Sequence, residues 1–370
     1  MDHGAETNSL LGHFAVLKDP RQLAKVLYPL PEVLLLVLCA TLAGADDFVE
    51  IEEWGETRLE FLRRFLAYER GIPSHDALND LINAMDPAAF SESFVSWVEG
   101  LSESDPDIVA IDGKTSRRTH AQAKGRNALH MVSAWASRQR LVLGQEATDA
   151  KSNEITAIPL LLQRLELKGA LVTIDAMGCQ SKIAAAILAT EADYLLTVKD
   201  NQPTLHDDLR CYFADAPAEE LNTFQTTDGD HGRIEVRRHI VSQQVDWLAD
   251  GRFNGIKTIA MVERTVQSNG KTSGERHYYI CSAALLATVL AHALRCHWHI
   301  ENRLHWVLDV IFREDLSRLR SGYGPQNMAV VRHMAMNLLR APTSKKSLKT
   351  RRKLAGWNPD YLEAILRKSA

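Results

Sequence analysis

Cysteine is scarce in this chain of 370 residues: there are five, Cys39, Cys179, Cys211, Cys281 and Cys296, widely scattered and without a C-x-x-C pair. That pattern speaks against a disulfide framework and a thiolate zinc site, and it fits a reducing cytoplasm. An early apolar run is missing too, since Asp2 and Glu6 stand where a signal peptide would be hydrophobic. The longest apolar stretch, Val33 to Ala45, falls short of the roughly 20 residues a helix needs to cross a bilayer. It reads as a buried core helix, begun after Pro29 and Pro31 and ended near Gly44. With hydrophobic residues at 45% and charged residues at 24%, wholesale disorder and collagen-like repeats are excluded as well.

Acidic residues are absent between Asp112 and Glu146, where seven bases stand: Lys114, Arg117, Arg118, Lys124, Arg126, Arg138 and Arg140. The overall net charge of -4 conceals this unevenness. Residues 1 to 106 carry 7 Lys and Arg against 19 Asp and Glu, whereas from Arg340 onward the balance is 9 against 2. Two basic blocks of this kind suit a polyanionic partner, although a basic run taken alone is more often a solvated face.

The spacing of apolar residues divides the chain. Residues 1 to 100 have helical periodicity: Leu34, Leu35, Leu38 and Leu42 fit one helix, Phe48 to Phe65 a second, a third follows the turn Gly71-Ile72-Pro73-Ser74, and Phe90, Phe94, Val95 and Val98 mark a fourth. Ser102 to Asp107 is the best boundary. Beyond it strands alternate with helices in the order β-β-β-α-β-α-β, a meander followed by two crossover units, which gives a mixed sheet with helices on its faces. Residues 218 to 284 return to strand signals, with Asn269-Gly270 as a hairpin turn, and form a β-rich insert. Helix resumes from Ala284 to about Arg318, and a basic tail closes the chain.

Asp112 and Asp175 each directly follow an apolar strand and open a small-residue turn. Sites in α/β sheets form beyond the carboxyl ends of strands, where a side chain is rigidly held but reaches solvent. An Asp at a strand end usually caps a turn, yet two of them on neighbouring strands need a cation to offset their repulsion. A third acid, Glu301, lies in His297-Trp298-His299-Ile300-Glu301-Asn302-Arg303-Leu304-His305-Trp306. At helical spacing Glu301 shares a face with His305 and Leu308, with Trp298 one turn before it. A zinc site built from His297, Glu301 and His305 is an alternative, though the spacing is not that of H-E-x-x-H. Trp54, Trp97, Trp298 and Trp306 are expected in the core rather than stacked on bases.

Ile111-Asp112-Gly113-Lys114, Thr173-Ile174-Asp175-Ala176, Val198-Lys199-Asp200-Asn201-Gln202, His231-Gly232-Arg233-Ile234-Glu235 and His297-Trp298-His299-Ile300-Glu301-Asn302 resemble, in order, the signature blocks of bacterial insertion-sequence DDE transposases. The nearest group looks like the H-repeat-associated transposases of Rhs elements, whose leader has blocks like Asp19-Pro20-Arg21, Tyr28-Pro29-Leu30 and Gly71-Ile72-Pro73-Ser74-His75-Asp76. The resemblance spans almost the whole chain. It departs from the wider superfamily where Y-x2-R-x3-E-x6-K places hold Leu294, His297, Glu301 and Leu308, and where Asp200 replaces a Gly.

This resemblance implies a ribonuclease H-like mixed sheet with flanking helices and a β-rich insertion at about 218–284, within a catalytic domain at 105–340. An all-helical N-terminal domain would occupy 1–104 and a basic tail 341–370. It carries Asp112, Asp175 and Glu301 over as catalytic and metal-binding residues, implying two Mg²⁺ ions, for which Mn²⁺ would substitute. Asp112 would bridge both ions, Asp175 would hold one and Glu301 the other. Water would first nick an element end, and the freed 3′-hydroxyl would then attack target DNA. Lys114, Arg117, Arg118, Lys199, His231, Arg233 and Arg237 are the expected DNA contacts, with Arg237 and Arg238 on opposite faces of a strand. The bases of the tail, Lys345, Lys346, Lys349, Arg351, Arg352 and Lys353, would track the backbone. Element ends and target DNA are the expected partners, with a homodimer assembled on DNA and no membrane. A nuclease on the same fold, or a non-catalytic or domesticated DNA-binding protein, are the rival readings.

Overall fold

The computed structural model describes residues 10–367 apart from 104, 121–126, 149–153, 231–232, 249–250, 269 and 342–343. Its N-terminal part is helical throughout: α1 (Leu10–Ala15), α2 (Leu30–Ala43), α3 (Phe48–Thr57), α4 (Leu59–Leu62), α5 (His75–Ala84) and α6 (Pro87–Glu99). Pro31 sits in the first turn of α2, where no intrahelical N–H is lost, and Gly44 ends the helix at φ +119°. Leu34 through Leu38 are all at most 1% exposed, so α2 is apolar on every side and its neighbours wrap it. The helix expected from Phe48 to Phe65 is two, broken at Arg58, whose φ of -122° lies outside helical geometry. Asp47 and Ser74 cap α3 and α5 by accepting from the Glu50 and Ala77 amides.

The strands are β1 (Ile108–Ser116), β2 (Leu129–Ala136), β3 (Leu141–Ala147), β4 (Leu171–Ile174), β5 (Asp193–Val198), β6 (Asn222–Asp230), β7 (Arg233–Ser242), β8 (Thr258–Ser268) and β9 (Lys271–Cys281). They form one nine-stranded sheet in the order β3-β2-β1-β4-β5-β9-β8-β7-β6. β1, β4 and β5 run parallel at its centre, while the meander on one side and the insert on the other pair antiparallel. The insert is thus continuous with the central sheet through β5 and β9. Gly270, at φ +73°, turns the β8–β9 hairpin; Asn269 lies outside the described residues.

Helices α7 (Glu154–Leu162), α8 (Ser181–Ala189) and α9 (Pro203–Asp215) belong to the crossovers. Ile158, Leu161, Ile183 and Ile187 of α7 and α8 are buried against Val132, Val172, Leu196 and their neighbours on one sheet face. The other face is covered by α10 (Ala287–His299) and by the helical layer, whose core takes in Trp135 and Val142 of the meander. Into that layer also pack α11 (Trp306–Val310), α12 (Gly324–Arg340), α13 (Leu348–Trp357) and α14 (Pro359–Arg367). The basic tail therefore differs from a free arm. Arg351 donates to the Leu339 carbonyl at 2.9 Å and Arg352 to the Thr41 carbonyl at 3.1 Å. These two guanidiniums satisfy carbonyls at the C-terminal ends of α12 and α2 rather than facing solvent. Among the described residues, no helix is long and apolar enough to cross a membrane.

Candidate active site

Parallel pairing decides where two of the acids meet. Ile111 on β1 is in register with Ile174 on β4, so the next residues, Asp112 and Asp175, leave adjacent strands at the same level. β1 continues past this point along β2, with Asp112 opposite Ser133, whereas β4 ends. Asp175 then caps a 3₁₀ turn, its Oδ1 accepting from Met177 N at 3.0 Å and Gly178 N at 3.4 Å. Asp175 thus both caps a turn and faces the groove, whereas the turn expected at Asp112-Gly113-Lys114 is instead strand, held by pairing with β2.

The third acid arrives from the helix laid across the strand ends. After α10 the backbone widens into a π-helical turn, Ile300–His305, in which the Trp306 N–H donates to the Glu301 carbonyl five residues back. Such turns concentrate at functional sites because the extra residue re-aims side chains. Here Glu301 points into the groove, while Ile300 and Leu304 are buried beneath it. His305 ties the turn to β1: its Nδ1 lies 3.2 Å from Glu301 Oε2 and 3.5 Å from Asp112 Oδ2. His297, by contrast, places Nδ1 3.0 Å from the Thr173 hydroxyl on β4. Burial keeps both imidazoles below their ordinary pKa.

The Asp112 carboxyl is strongly perturbed. Burial pushes its carboxyl up to about 7; the Gly113 amide pulls the other way, and Glu154, Asp175 and Glu301 raise it further by like-charge repulsion. Glu154, the first residue of α7, holds His130 Nε2 at 2.9 Å, and His130 Nδ1 in turn contacts the Thr115 hydroxyl at 2.7 Å. This pair lies directly over β1, where a Cβ at Gly113 would come within 2.2 Å of Glu154 Oε1 and 2.3 Å of His130 Nε2. Glycine is required there by close approach, not by its torsions.

One ligand atom each from Asp112, Glu301 and His305 can lie within 4.8 Å of the others. A desolvated carboxylate repelled by three acids is the setting a divalent cation neutralises, and the carboxylate oxygens are hard donors suited to Mg²⁺ or Mn²⁺. The donor set thus fits such an ion, with the His305 nitrogen favouring Mn²⁺ over Mg²⁺. The His-based zinc alternative loses His297, which bonds Thr173 instead.

The acids open onto a groove of about 780 Å³ whose far wall is the insert. Lys199, Arg233 and Arg237 line it, as do Arg264, Arg295, His239 and His277. Arg233, Arg237 and Arg264 surround Glu235, with Arg233 Nη2 at 2.6 Å and Arg264 Nε at 2.8 Å. The Arg264 guanidinium chiefly, helped by Arg237 and Arg233, holds the Glu235 carboxyl down to about 2. Arg238 faces away and pairs with Glu263, so the two adjacent arginines do lie on opposite faces.

Lys114 does not line the groove: its ammonium is only 10% exposed and lies 2.7 Å from Asp309 and 2.8 Å from Glu314, so it braces β1 against α11 and the segment that follows. Arg117 is 83% exposed, its Nε 3.5 Å from Asp315, and Arg118 is exposed, its carbonyl accepting from Arg320; neither lines the groove. His231, Lys124 and Arg126 lie outside the described residues. Trp97 is buried as expected, but Trp298 and Trp306 are 61% and 54% exposed, Trp298 on the groove itself.

Arg264 and Arg295 were not anticipated from sequence. A signal existed for Arg264: with Ser268 opposite Lys271, the hairpin places Arg264 opposite Glu275. Arg295 carried none, because only the packing of α10 on the insert brings it to Asp228, 2.7 Å away.

Residues 103–338 match the family described as Transposase DDE domain, and residues 11–98 the one described as DDE_Tnp_1-associated. The chain is 39% identical to the "H repeat-associated putative transposase YhhI" of Escherichia coli (strain K12), over 98% of each chain. It is 42% identical to the "Putative transposase YncI" of Escherichia coli O157:H7, over 97% of this chain and 94% of that one. An "Inactive transposase YbfQ" of strain K12 is 38% identical over 21% of this chain and 93% of its own. Among solved structures, a piggyBac transposase synaptic complex with hairpin DNA aligns with 98% of this chain and 78% of that one, at TM-score 0.45 and 10% identity, a likeness too weak to carry an argument.

Proposed function

Because the chain belongs to the DDE transposase family, we propose that it cuts DNA at insertion-sequence ends and joins the freed 3′-hydroxyls to target DNA. The observation that carries this reading is the groove in which Asp112 on β1 and Asp175, just past the end of the parallel β4, face Glu301 on the π-helical turn and an arginine-rich wall across from them. We read the β3-β2-β1-β4-β5 half of the sheet as a ribonuclease H-like core and β6–β9 as its insertion.

Asp112, Asp175 and Glu301 would hold two Mg²⁺ ions, or Mn²⁺ in their place. When bound, the ions supply an activated oxygen nucleophile, a stabilised leaving oxygen and neutralised phosphate charge. The rest falls to side chains of this chain. His305 keeps Glu301 and Asp112 facing each other. Lys199, Arg233 and Arg237 bind the phosphates of the element end, and Arg264, held between Glu235 and Glu275, keeps that wall in place. Burial of Asp112 keeps water from screening its charge. Strand transfer needs two element ends, so two copies on DNA are expected.

The test is direct. Purified protein is incubated with a labelled fragment carrying the repeats that flank its coding region and Mg²⁺, and cuts and joints are mapped. Cleavage at the repeat ends with joining supports the proposal. Cutting without end specificity or joining would make the protein a nuclease, binding without cutting a DNA-binding relative, and an Asp112→Asn variant cutting at the parental rate would overturn the site.

A further inference from the structure

A second group of cations lies on the side of the catalytic helix turned away from the groove. Arg303 follows Glu301 by two residues, about half a turn around the helix, and whereas Glu301 and Asn302 line the groove, Arg303 does not. Arg140 closes the β2–β3 turn at φ +60° and is exposed. Between them is Arg340, the last residue of α12, stacked 4.4 Å from the Trp135 ring centroid. Its guanidinium donates to the Arg140 carbonyl at 3.3 Å and to the Arg303 carbonyl, which fixes the three arginines together.

Neither Arg140, Arg303 nor Arg340 has an ion pair among the described residues, unlike Arg138 two positions earlier, which pairs with Glu103 at 2.6 Å. The nearby Asp107 carboxylate is already engaged by the amides of Ile108, Arg138 and Gln139. Nε of Arg340 and Nδ1 of the adjacent His299 are buried without a hydrogen-bond partner. Burial, then the neighbouring Arg303 and Arg140, push Arg340 down to about 9. Cations gathered in this way without an acid raise the energy of the free protein and lower it when an anion arrives.

We propose that Arg140 and Arg303, held in place by Arg340, form a phosphate-binding site for a second stretch of DNA backbone, on the face of the catalytic helix opposite the groove. This rests on the DNA reading given above. Carbonyl anchoring through Arg340 leaves the Arg140 and Arg303 guanidiniums to present their donors, the fork geometry that suits a phosphate.

The experiment measures binding of duplex DNA as a function of salt for the parent, Arg140→Asn, Arg303→Gln and the double variant. Asparagine is chosen because it tolerates the left-handed turn at position 140. The expected result is a slope of log affinity against log salt smaller in magnitude by about 0.9 in the double variant, one phosphate contact, with Arg140→Asn alone weakening binding in the same direction and leaving the melting temperature in place. An unchanged slope, while Arg233→Gln lowers it, would overturn this site and leave the groove standing. If the parent binds no DNA, both readings fall. Inorganic phosphate separates the two sources of the ligand: a phosphate-dependent rise in melting temperature, lost in the double variant while the DNA slope stays unchanged, would identify a free-anion site and overturn the DNA assignment.

Discussion

Asp112 and Glu235 face the same groove, both largely withdrawn from water, and their electrostatics are opposite. Asp112, buried among acids, is pushed up to about 7, whereas Glu235, ringed by three arginines, is held down to about 2. The charged groups that shift the first are all acids, whereas the second is satisfied within the protein. One sheet thus divides the work, with the central parallel strands presenting uncompensated acids and the insert a self-neutralised basic wall.

The largest expected break in this contrast is Asp112→Asn. On the proposed reading, loss of this carboxylate should lower DNA cleavage by about a thousandfold or more, several kcal/mol of transition-state stabilisation. Thermal stability should hold or rise, because one repelled charge is gone; an unfolded variant would show that Asp112 is structural.

Next comes pH. A carboxyl whose folded pKa is raised contributes stability at pH below its unfolded value near 4 and loses that contribution as pH rises through about 7. Ion-free protein should therefore lose on the order of a few kcal/mol from this group across that window. Mg²⁺ or Mn²⁺ should restore melting temperature near neutral pH in the parent and not in Asp112→Asn. A melting temperature indifferent to both ions would count against the donor set.

Glu235 gives the opposite sign. Its depressed pKa contributes stability above the ordinary value of 4.5, lost as pH falls through about 2. Glu235→Gln, which leaves three guanidiniums without their shared carboxylate, should cost about 2 kcal/mol in denaturant unfolding near neutral pH. No loss would mean that Asp228 and Glu275 already balance the wall.

Gly113→Ala sharpens the picture around the acids. Its Cβ would displace the ends of Glu154 and His130, and the broken pair should lower stability by about 1 kcal/mol. At the small end, Arg117→Ala removes a side chain 83% exposed and should change stability by less than about 0.5 kcal/mol.

Much of this was legible before the structure. The all-round apolar α2 bounded by Pro31 and Gly44, the meander, the crossovers and the insert follow from local periodicity and turn residues, which act over a few positions. Asp175 was legible for the same reason, since a strand end and its turn are local, whereas the turn expected at Asp112 is absent because pairing with β2 carries β1 on to Ser116. Trp298 was misjudged, and the acid partners of Lys114 went unseen, because their surroundings are distant in sequence: Glu314 lies far along the chain from Lys114, and exposure of Trp298 depends on where α10 rests. The π-helical turn was likewise invisible, since periodicity assumes the ordinary helical repeat.

By itself, then, the sequence determined which acids follow apolar strand runs, where the leader helices, the meander, the crossovers and the insert lie, and that the bases come in blocks, because side-chain type and spacing encode local geometry. Only the tertiary structure decided which charges are compensated. Lys114, Arg351 and Arg352 are taken up by partners from other elements, Arg140 and Arg303 have no acid partner among the described residues, and Asp112 stands among other acids. Compensation depends on distances of a few ångströms between segments far apart in the chain, which no local pattern specifies.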